Sequence, residues 1–198
     1  MINIAVFISG RGSNFKAINE AIKCEFIKNA KISIVISDNP NAQGLLYAKE
    51  NNIPYIIVDN KAKQEREANI LKVLKTYNID LVCLAGYMKI IGPSIIDNYP
   101  NKIMNIHPSL LPSFPGINAQ KQALDYGVRI TGCTLHFVDH LVDHGPVILQ
   151  RSVEIDENDS VESLSAKILY YEHEIYPLGV KLFTENKLAI SGRKVFII

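Results

Sequence analysis

Residues 3 to 14 read Asn3-Ile4-Ala5-Val6-Phe7-Ile8-Ser9-Gly10-Arg11-Gly12-Ser13-Asn14. After Asn3 the first half of this stretch is apolar without a break, as in a strand that is covered on both faces of a sheet. The glycines then interrupt the strand, and the next apolar residues recur at the intervals of three and four that mark a helix. These residues are Phe15, Ile18, Ile22 and Phe26. The chain therefore opens with a strand, a glycine loop and a helix.

The same alternation of strand, turn and helix continues through the first 100 residues, and it predicts parallel β-α-β units. Strands are predicted at 3–8, 32–37, 55–58, 80–85 and 102–107, and further helices at 42–51, 64–77 and 93–99. Beyond them we predict an antiparallel pair of strands, 129–138 and 146–155, a helix at 161–184 and a last strand at 195–198. The predicted fold class is α/β: a single domain, residues 1–198, with a Rossmann-like open, mostly parallel twisted sheet, helices on both faces and an antiparallel C-terminal edge.

Composition and charge exclude several classes of protein. The 198 residues are 47% hydrophobic and 21% charged, which is ordinary for a globular chain. This composition excludes a chain that is mainly disordered. Lysine plus arginine number 21 against 20 aspartate plus glutamate, a formal net charge of +1, so a nucleic-acid partner held by bulk charge is not expected. No apolar run approaches the roughly 18 residues that cross a bilayer, and no secretory leader is visible, so we expect neither a membrane segment nor a targeting segment.

The cysteines indicate the compartment. Cys24, Cys83 and Cys133 lie far apart without a CxxC spacing. An odd number at these distances predicts neither a disulfide framework nor a zinc ribbon. A reducing cytoplasm is therefore the expected location.

The glycine loop 10–14 lies between the first strand and the first turn of a helix. Unpaired backbone N–H groups and the positive end of the helix dipole favour a phosphate at such a place. The loop lacks the third glycine of the dinucleotide pattern, since position 15 is Phe15, and it lacks the Walker lysine. A mononucleotide-sized phosphate ester is the functional interpretation, and a tight turn in which Ser13 or Asn14 caps the helix is the structural alternative.

A second group of polar residues ends the strand at 102–107, where the chain reads Asn105-Ile106-His107-Pro108. Alternate residues of a strand project from the same face, so Asn105 and His107 point together while Ile106 points into the opposite layer. Open α/β sheets bind their ligands at the carboxyl ends of parallel strands. An amide donor beside an imidazole can stabilise an oxyanion and move a proton, as acyl transfer requires. A structural histidine near a turn is the alternative.

The segment 139–146 supplies a carboxylate that can approach this imidazole. Asp139 and Asp143 compete for that place, and we favour Asp143 because Gly145 and Pro146 fix the chain just beyond it. His136, His140 and His144 are spaced by four, which suggests a metal site only on a helix. The strand-like flanks and Gly145-Pro146 argue against a helix here, so no metal is expected.

Taken together these motifs give the chain a close resemblance, nearly end to end, to the folate-dependent formyltransferases, and among them to the branch that serves purine synthesis. The matching segments, in order, are Ile8 to Asn14, Leu84 to Met88, Asn105 to Pro112, Phe114 to Gly116, Val142 to Pro146, and Glu172-His173 with Tyr176-Pro177. The resemblance implies transfer of a formyl group from 10-formyltetrahydrofolate, as co-substrate, to the amine of glycinamide ribonucleotide, without a metal. Small-molecule substrates are thus the expected partners, and the chain is expected to be a monomer or homodimer.

The resemblance also implies a role for particular residues. It makes Asn105, His107 and Asp143 the catalytic group and Gly12, Ser13 and Asn14 the cradle of the substrate phosphate. Glu172 corresponds to a residue that helps to hold the ribonucleotide. The folate is expected to lie against Met88, Lys89, Ile90, Ile91 and Asn105, with Lys63 as the basic residue that approaches it.

Three departures from the family pattern stand in this sequence. The segment before the third long helix is short, so Arg66 is an alternative to Lys63 as the basic residue near the folate. Leu141 stands where glycine is common, and His144 beside Asp143 is unusual. Two rival functions remain open: a related enzyme that acts on methionyl-tRNA or hydrolyses formyltetrahydrofolate, and a non-catalytic phosphate-binding module.

Overall fold

A computed structural model describes residues 1–59 and 62–198 of the chain. These residues form two compact units, Met1–Asn105 and Ile106–Ile198. Among them, no helix combines the length and the apolar character that crossing a bilayer requires.

The first unit is built from parallel strands joined by helices. Its strands are β1 (Ile2–Ile8), β2 (Ala30–Ser37), β3 (Tyr55–Ile57), β4 (Leu81–Leu84) and β5 (Ile103–His107), the last of which ends in the second unit. Its helices are α1 (Ser13–Lys23), α2 (Gln43–Glu50), α3 (Lys63–Thr76) and α4 (Pro93–Asn98). The strand order is β3-β2-β1-β4-β5, and every pair is parallel. All five residues from Ile4 to Ile8 are completely buried, as their unbroken apolar run predicts.

The second unit combines antiparallel strands with one long helix. Its elements are α5 (Ala119–Tyr126), β6 (Ile130–Phe137), β7 (Val147–Glu154), α6 (Val161–Thr184), β8 (Leu188–Ser191) and β9 (Lys194–Ile197). Strand β6 pairs antiparallel with β7, β7 pairs parallel with β9, and β9 pairs antiparallel with β8. Helix α6 packs closely on β6, because a Cβ at Gly179 would lie 2.0 Å from the Leu135 side chain.

The predicted fold class is confirmed; one helix ends earlier than predicted, and one helix and one strand were missed. Helix α1 ends at Lys23, before the predicted Phe26, because Glu25 takes a left-handed conformation with φ 60°. Helix α5 was missed, since it buries only the small residues Ala119 and Ala123 and so shows no apolar stripe. Strand β8 was missed as well, although Gly192, with φ 57°, marks its turn into β9. That residues 1–198 act as a single domain stays a prediction.

Replacing Gly132 by alanine is expected to destabilise the fold by about 1–3 kcal/mol, the usual cost of overpacking a tight site. Gly132 lies on β6 opposite Ser152, and its added Cβ would come within 1.9 Å of the Arg151 carbonyl oxygen. Because that atom belongs to the backbone, the strands themselves must move apart. Urea unfolding measures the change. Gly10→Ala is the control, since a Cβ there meets nothing within 4 Å, and equal stability of the two variants would contradict the prediction.

Candidate active site

The glycine loop of the first unit ends at the beginning of α1. Gly12 is the N-cap residue, it has a φ of 72°, and no side chain caps the helix. The structural alternative, a cap by Ser13 or Asn14, is therefore not what the structure has, because both residues lie inside α1. A side chain at Gly12 would also be strained, since its Cβ would lie 3.0 Å from the Gly44 Cα. The backbone thus turns tightly into the helix, and the first N–H groups of a helix have no acceptor within it.

Ser9 joins this loop to the segment that follows β4. Its hydroxyl donates to Asp38 Oδ1 at 2.5 Å and accepts from the Met88 backbone N–H at 2.8 Å. Its own N–H donates to the Gly86 carbonyl at 3.1 Å. Hydrogen bonds of Ser9, the residue after β1, therefore join two of the segments that the sequence singled out, 8–14 and 84–88.

The predicted folate segment, 88–91, presents apolar side chains to the surface. Met88 is 69% exposed and Ile90 67% exposed, Lys89 is also exposed, and Ile91 is buried. Exposed apolar side chains that lie so close together are typical of a binding surface rather than of a core. Tyr87 anchors the segment from beneath, with its ring edge-on to Phe7 at 5.2 Å between centroids.

Helix α3 carries the two basic candidates for the folate side. Lys63 is its first residue, and its ammonium group lies 3.9 Å from a carboxylate oxygen of the largely buried Glu67. Arg66 is half-buried, and its positive charge acts on Tyr87, whose pKa is raised to about 12 mainly by burial. The charge of Arg66 opposes that rise.

The histidine at the end of β5 is held from two sides. His107 is 4% exposed, whereas Asn105, on the same strand, is half-buried. The Nε2 atom of His107 lies 2.9 Å from the Phe114 carbonyl oxygen, and its Nδ1 lies 3.2 Å from Asp143 Oδ2. A carbonyl and an ionised carboxylate both accept hydrogen bonds, so this environment is fully satisfied when both ring nitrogens carry a proton.

Asp143, and not Asp139, is the carboxylate beside His107. Its backbone is left-handed, with φ 50°, and its side chain is 10% exposed. The Gly116 N–H donates to the same Oδ2 atom at 2.8 Å. Asp139 instead receives His144 Nδ1 at 2.8 Å and the Leu141 N–H at 3.0 Å. The Asp143 carboxylate therefore faces the His107 imidazole, whereas the Asp139 carboxylate makes hydrogen bonds within its own loop.

A buried polar network fixes the proline-rich loop, 108–116, that supplies the Phe114 carbonyl and the Gly116 N–H. Thr134 on β6 is completely buried; its hydroxyl donates to the Ser109 carbonyl at 2.7 Å and accepts from the Leu111 N–H at 3.0 Å. The Gln150 amide donates to Thr134 Oγ1 at 2.9 Å and to the Leu111 carbonyl at 3.0 Å. These hydrogen bonds restrict the loop, so the partners of His107 and Asp143 are held in place.

Two residues that contact the loop 139–146 were not connected with it by the sequence. The first is Arg193, on the turn between β8 and β9, whose guanidinium donates to the His144 carbonyl at 2.8 Å. The second is His136 on β6, which is 1% exposed and has its Nε2 3.8 Å from Asp143 Oδ1. A single histidine within a strand is interpreted from sequence as part of the core. The spacing of residues 136 and 193 also gives no sign that they lie near residue 143.

The metal interpretation of the three histidines fails on geometry. His136 lies in a strand, while His140 and His144 lie in the loop that follows it. The three histidines therefore do not lie on one face of a helix, although they are spaced by four. Across residues 1–59 and 62–198, no three histidine, cysteine or acidic side chains are grouped so that they could hold a metal ion. Glu172, the remaining predicted site residue, is buried on α6, where its charge helps to raise the pKa of Cys133 after the larger effect of burial.

The profile of the formyl transferase family matches residues 2–180 of the chain. The chain belongs to the formyl transferase family. All of the predicted site residues of this formyl transferase lie within the matched range, whereas the hairpin of β8 and β9, with Arg193, lies beyond it.

Individual formyl transferases resemble it over nearly their whole length. A phosphoribosylglycinamide formyltransferase from Bacillus subtilis is 41% identical over 184 residues, which are 91% of this chain and 94% of that protein. The crystal structure of glycinamide ribonucleotide transformylase 1 from Symbiobacterium toebii superimposes with a TM-score of 0.96 at 44% identity, covering 100% of this chain and 94% of the other.

A formyl transferase relative with another activity is similar in fold but more distant in sequence. The formyltetrahydrofolate deformylase from Pseudomonas syringae superimposes with a TM-score of 0.93 at 26% identity. This chain covers only 66% of that structure. This formyl transferase therefore has the fold of the part of the deformylase that it covers.

Proposed function

We propose that this formyl transferase is a phosphoribosylglycinamide formyltransferase. It transfers the formyl group of 10-formyltetrahydrofolate to the amine of glycinamide ribonucleotide, and so gives formylglycinamide ribonucleotide and tetrahydrofolate in the synthesis of purines. The observation that carries the proposal is the pairing of His107 with Asp143 at 3.2 Å, with Asn105 two residues earlier on the same strand. An amide, an imidazole and a carboxylate are the groups that a direct acyl transfer to an amine requires.

The reaction is proposed to proceed through a tetrahedral intermediate. The substrate amine attacks the formyl carbon, a carbon–nitrogen bond forms, and the electron pair of the carbonyl moves to its oxygen. The Asn105 amide and protonated His107 donate hydrogen bonds to that oxyanion, and Asp143, directly or through water, takes the proton that the amine loses. The bond to the folate nitrogen then breaks, and this nitrogen leaves with a proton from His107.

Both ring nitrogens of His107 are engaged, Nε2 with the Phe114 carbonyl at 2.9 Å and Nδ1 with Asp143 at 3.2 Å. The contact between Nδ1 and Asp143 is proposed to open when the reacting groups bind, so that Nδ1 donates to the oxyanion. Because the Gly116 N–H continues to hold Asp143, the carboxylate keeps its position during that change.

Binding residues for the ribonucleotide are proposed on chemical grounds. The N–H groups of Gly12, Ser13 and Asn14 bind its phosphate at the beginning of α1, where the helix dipole favours an anion. Glu172 accepts hydrogen bonds from its ribose hydroxyls, a role that suits a buried carboxylate.

The folate is proposed to bind against the segment 88–91. The exposed side chains of Met88 and Ile90 offer apolar surface for the pterin, and the backbone of 88–91 with the Asn105 amide offers hydrogen bonds to its polar edge. Lys89, and one of the two cations of α3, Lys63 or Arg66, attract the acidic part of the co-substrate. Alanine variants of Lys63 and Arg66, compared by their KM for the folate, identify which cation acts.

Formation of the formylated ribonucleotide tests the proposed function directly. The purified chain is mixed with both substrates, and the absorbance of the folate product is followed while the ribonucleotide product is identified by mass spectrometry. Release of tetrahydrofolate only when the ribonucleotide is present supports the transferase. Equal release without it, with formate as product, would establish the deformylase activity that the similarity to the Pseudomonas syringae enzyme makes the second candidate.

Several further properties belong to the same proposal. The enzyme acts in the cytoplasm, which accords with the lack of a disulfide among the cysteines of the described residues. It is a monomer or homodimer, it binds no nucleic acid, residues 1–198 form one catalytic domain, and it uses no metal. Formyl transfer is accordingly expected to be unchanged after treatment with a chelator, and recovery of lost activity by an added divalent cation would contradict the metal-free mechanism.

Replacing Asn105 by alanine is expected to lower kcat by about 100-fold to 1,000-fold, as removal of an oxyanion donor does elsewhere. The amide stabilises charge that develops only in the transition state, so kcat falls more than KM rises. Steady-state kinetics with both substrates measure the split. Asn98→Ala is a control, because the Asn98 amide is exposed and donates only to the Ser94 carbonyl of its own helix. Near wild-type turnover of a folded Asn105 variant would remove the amide from the mechanism.

A further inference from the structure

The loop that carries Asp143 is fixed at its C-terminal end by the pairing of β6 with β7. The Phe137 N–H donates to the Pro146 carbonyl at 2.9 Å, and a Cβ at Gly145 would lie 1.9 Å from the Phe137 carbonyl oxygen. Asp143 lies just before this fixed part and has a left-handed backbone, with φ 50°. A residue with a side chain keeps that conformation only where its surroundings hold it. A contact with the neighbours of Asp143 therefore affects where its carboxylate lies.

Arg193 makes such a contact with the next residue, His144. Its Nη2 donates to the His144 carbonyl at 2.8 Å, and its Nη1 lies 2.9 Å from His144 Nε2 and 3.1 Å from His144 Nδ1. The guanidinium therefore holds both the peptide group that follows His144 and the imidazole ring. A histidine at position 144 is one of the departures from the family pattern in this sequence, and the contact with Arg193 gives it a structural role.

The C-terminal hairpin places Arg193 beside the loop. Ser191 pairs with Lys194, so Gly192 and Arg193 form the turn between β8 and β9, and Gly192 supplies the positive φ, 57°, of that turn. Lys194 also pairs with Val147 at the start of β7. Exposed polar contacts usually contribute little, because ordering two flexible groups costs entropy. Here the sheet already orders the backbone on both sides of the contact, so less entropy is lost when the contact forms.

We propose that Arg193 is a positioning residue for Asp143: its guanidinium holds His144 and so keeps the Asp143 carboxylate at its place beside the His107 imidazole, 3.2 Å away. The proposal rests on the proposed function, in which Asp143 accepts the proton of the substrate amine. A proton acceptor must lie within hydrogen-bond reach of its donor, and a small displacement of a catalytic group slows the reaction. Arg193 contacts no reacting group in this mechanism, so it acts only through the loop.

A double-mutant cycle tests whether Arg193 acts through Asp143. Alone, Arg193→Ala is expected to lower kcat by about 3-fold to 10-fold, the effect of one or two hydrogen bonds, with KM for both substrates unchanged. Combined with Asp143→Asn, the same substitution is expected to change kcat by less than about 2-fold, because the group that Arg193 positions is already lost. An equal loss of kcat in both backgrounds, as a merely structural role would give, would overturn the proposal. Wild-type kcat in Arg193→Ala would overturn it as well.

Two further variants complete the cycle. Arg129→Ala is the matched control, since it removes an exposed arginine of the same unit whose guanidinium lies 3.6 Å from Glu157, and its kcat is expected to stay within about 2-fold of wild type. Arg193→Lys replaces Arg193→Ala in the cycle if the alanine variant does not fold. Lysine keeps the charge but cannot hold the carbonyl and the ring with two nitrogens of one planar group. We expect it to lower kcat by about 2-fold to 5-fold, again only while Asp143 is intact, and an equal loss in both backgrounds would overturn the proposal.

Hydrogen exchange tests the same contact without an activity assay. Mass spectrometry of a peptide that covers residues 139–146 is expected to show exchange at least about 3-fold faster in Arg193→Ala than in wild type, and no change in Arg129→Ala. Unchanged exchange in Arg193→Ala would overturn the proposal. The wild-type assay is a separate test: faster exchange in Arg193→Ala together with absence of formyl transfer by the wild type would refute the proposed function and leave the support of the loop by Arg193 established.

Discussion

His107→Ala is expected to lower kcat by about 100-fold to 10,000-fold, the range found for a positioned acid–base group. The ring contributes in two ways, as a hydrogen-bond donor to the oxyanion and as the proton source for the departing folate nitrogen. It is held at both nitrogens, by the Phe114 carbonyl at 2.9 Å and by Asp143 at 3.2 Å, so alanine also leaves these two acceptors without their partner. The expected loss is therefore at the upper end for one side chain.

The control for His107→Ala is His140→Ala, which removes an exposed imidazole of the following loop that has no part in the proposed reaction. We expect His140→Ala to keep kcat within about 2-fold of wild type, as surface substitutions usually do. Single-turnover measurements show whether the chemical step itself is slowed in His107→Ala. A folded His107→Ala variant with wild-type turnover would exclude the imidazole as acid or oxyanion donor.

Strand β1 could be predicted from the sequence because burial on both faces leaves an unbroken apolar run. The segment Ile4–Ile8 is such a run, and all of it is buried. Helix α6 was predicted with its observed bounds, 161 and 184. Helix α5 buries only two alanines. Because its buried side chains are small, no apolar period marks the helix in the sequence.

Part of the site could be predicted in the same way, and part could not. The two-residue period of a strand predicts that Asn105 and His107, which both lie on β5, project from one face. The choice of Asp143 over Asp139 depends on a left-handed backbone at Asp143 and on the Gly116 N–H, neither of which side-chain spacing reports. Every residue has a backbone carbonyl, so the sequence does not show that the Phe114 carbonyl is the partner of His107. Only the folded structure shows it.

Asp143→Asn is expected to lower kcat by about 100-fold to 10,000-fold and to change the pH–rate profile. The amide has the shape of the carboxylate, and its oxygen can still accept from the Gly116 N–H, so the loop keeps its conformation while the base is lost. Asn cannot take the proton of the substrate amine, and it no longer offers a negative charge to His107. The change is measured as kcat and kcat/KM across the pH range, with circular dichroism as the check on folding.

Asp139→Asn is the matched control for this substitution, because the same chemical change is made four residues earlier in the same loop. Asp139 accepts from His144 and the Leu141 N–H, whereas Asp143 is the carboxylate paired with His107, so the Asp139 variant is expected to keep the wild-type pH profile. The contrast separates loss of the base from loss of loop structure, since both variants remove one carboxylate from the loop and only one of them removes the proton acceptor. If Asp143→Asn retained full activity and an unchanged pH profile, the proton of the amine would have to leave by another route, and the pairing at 3.2 Å would serve only to orient the imidazole.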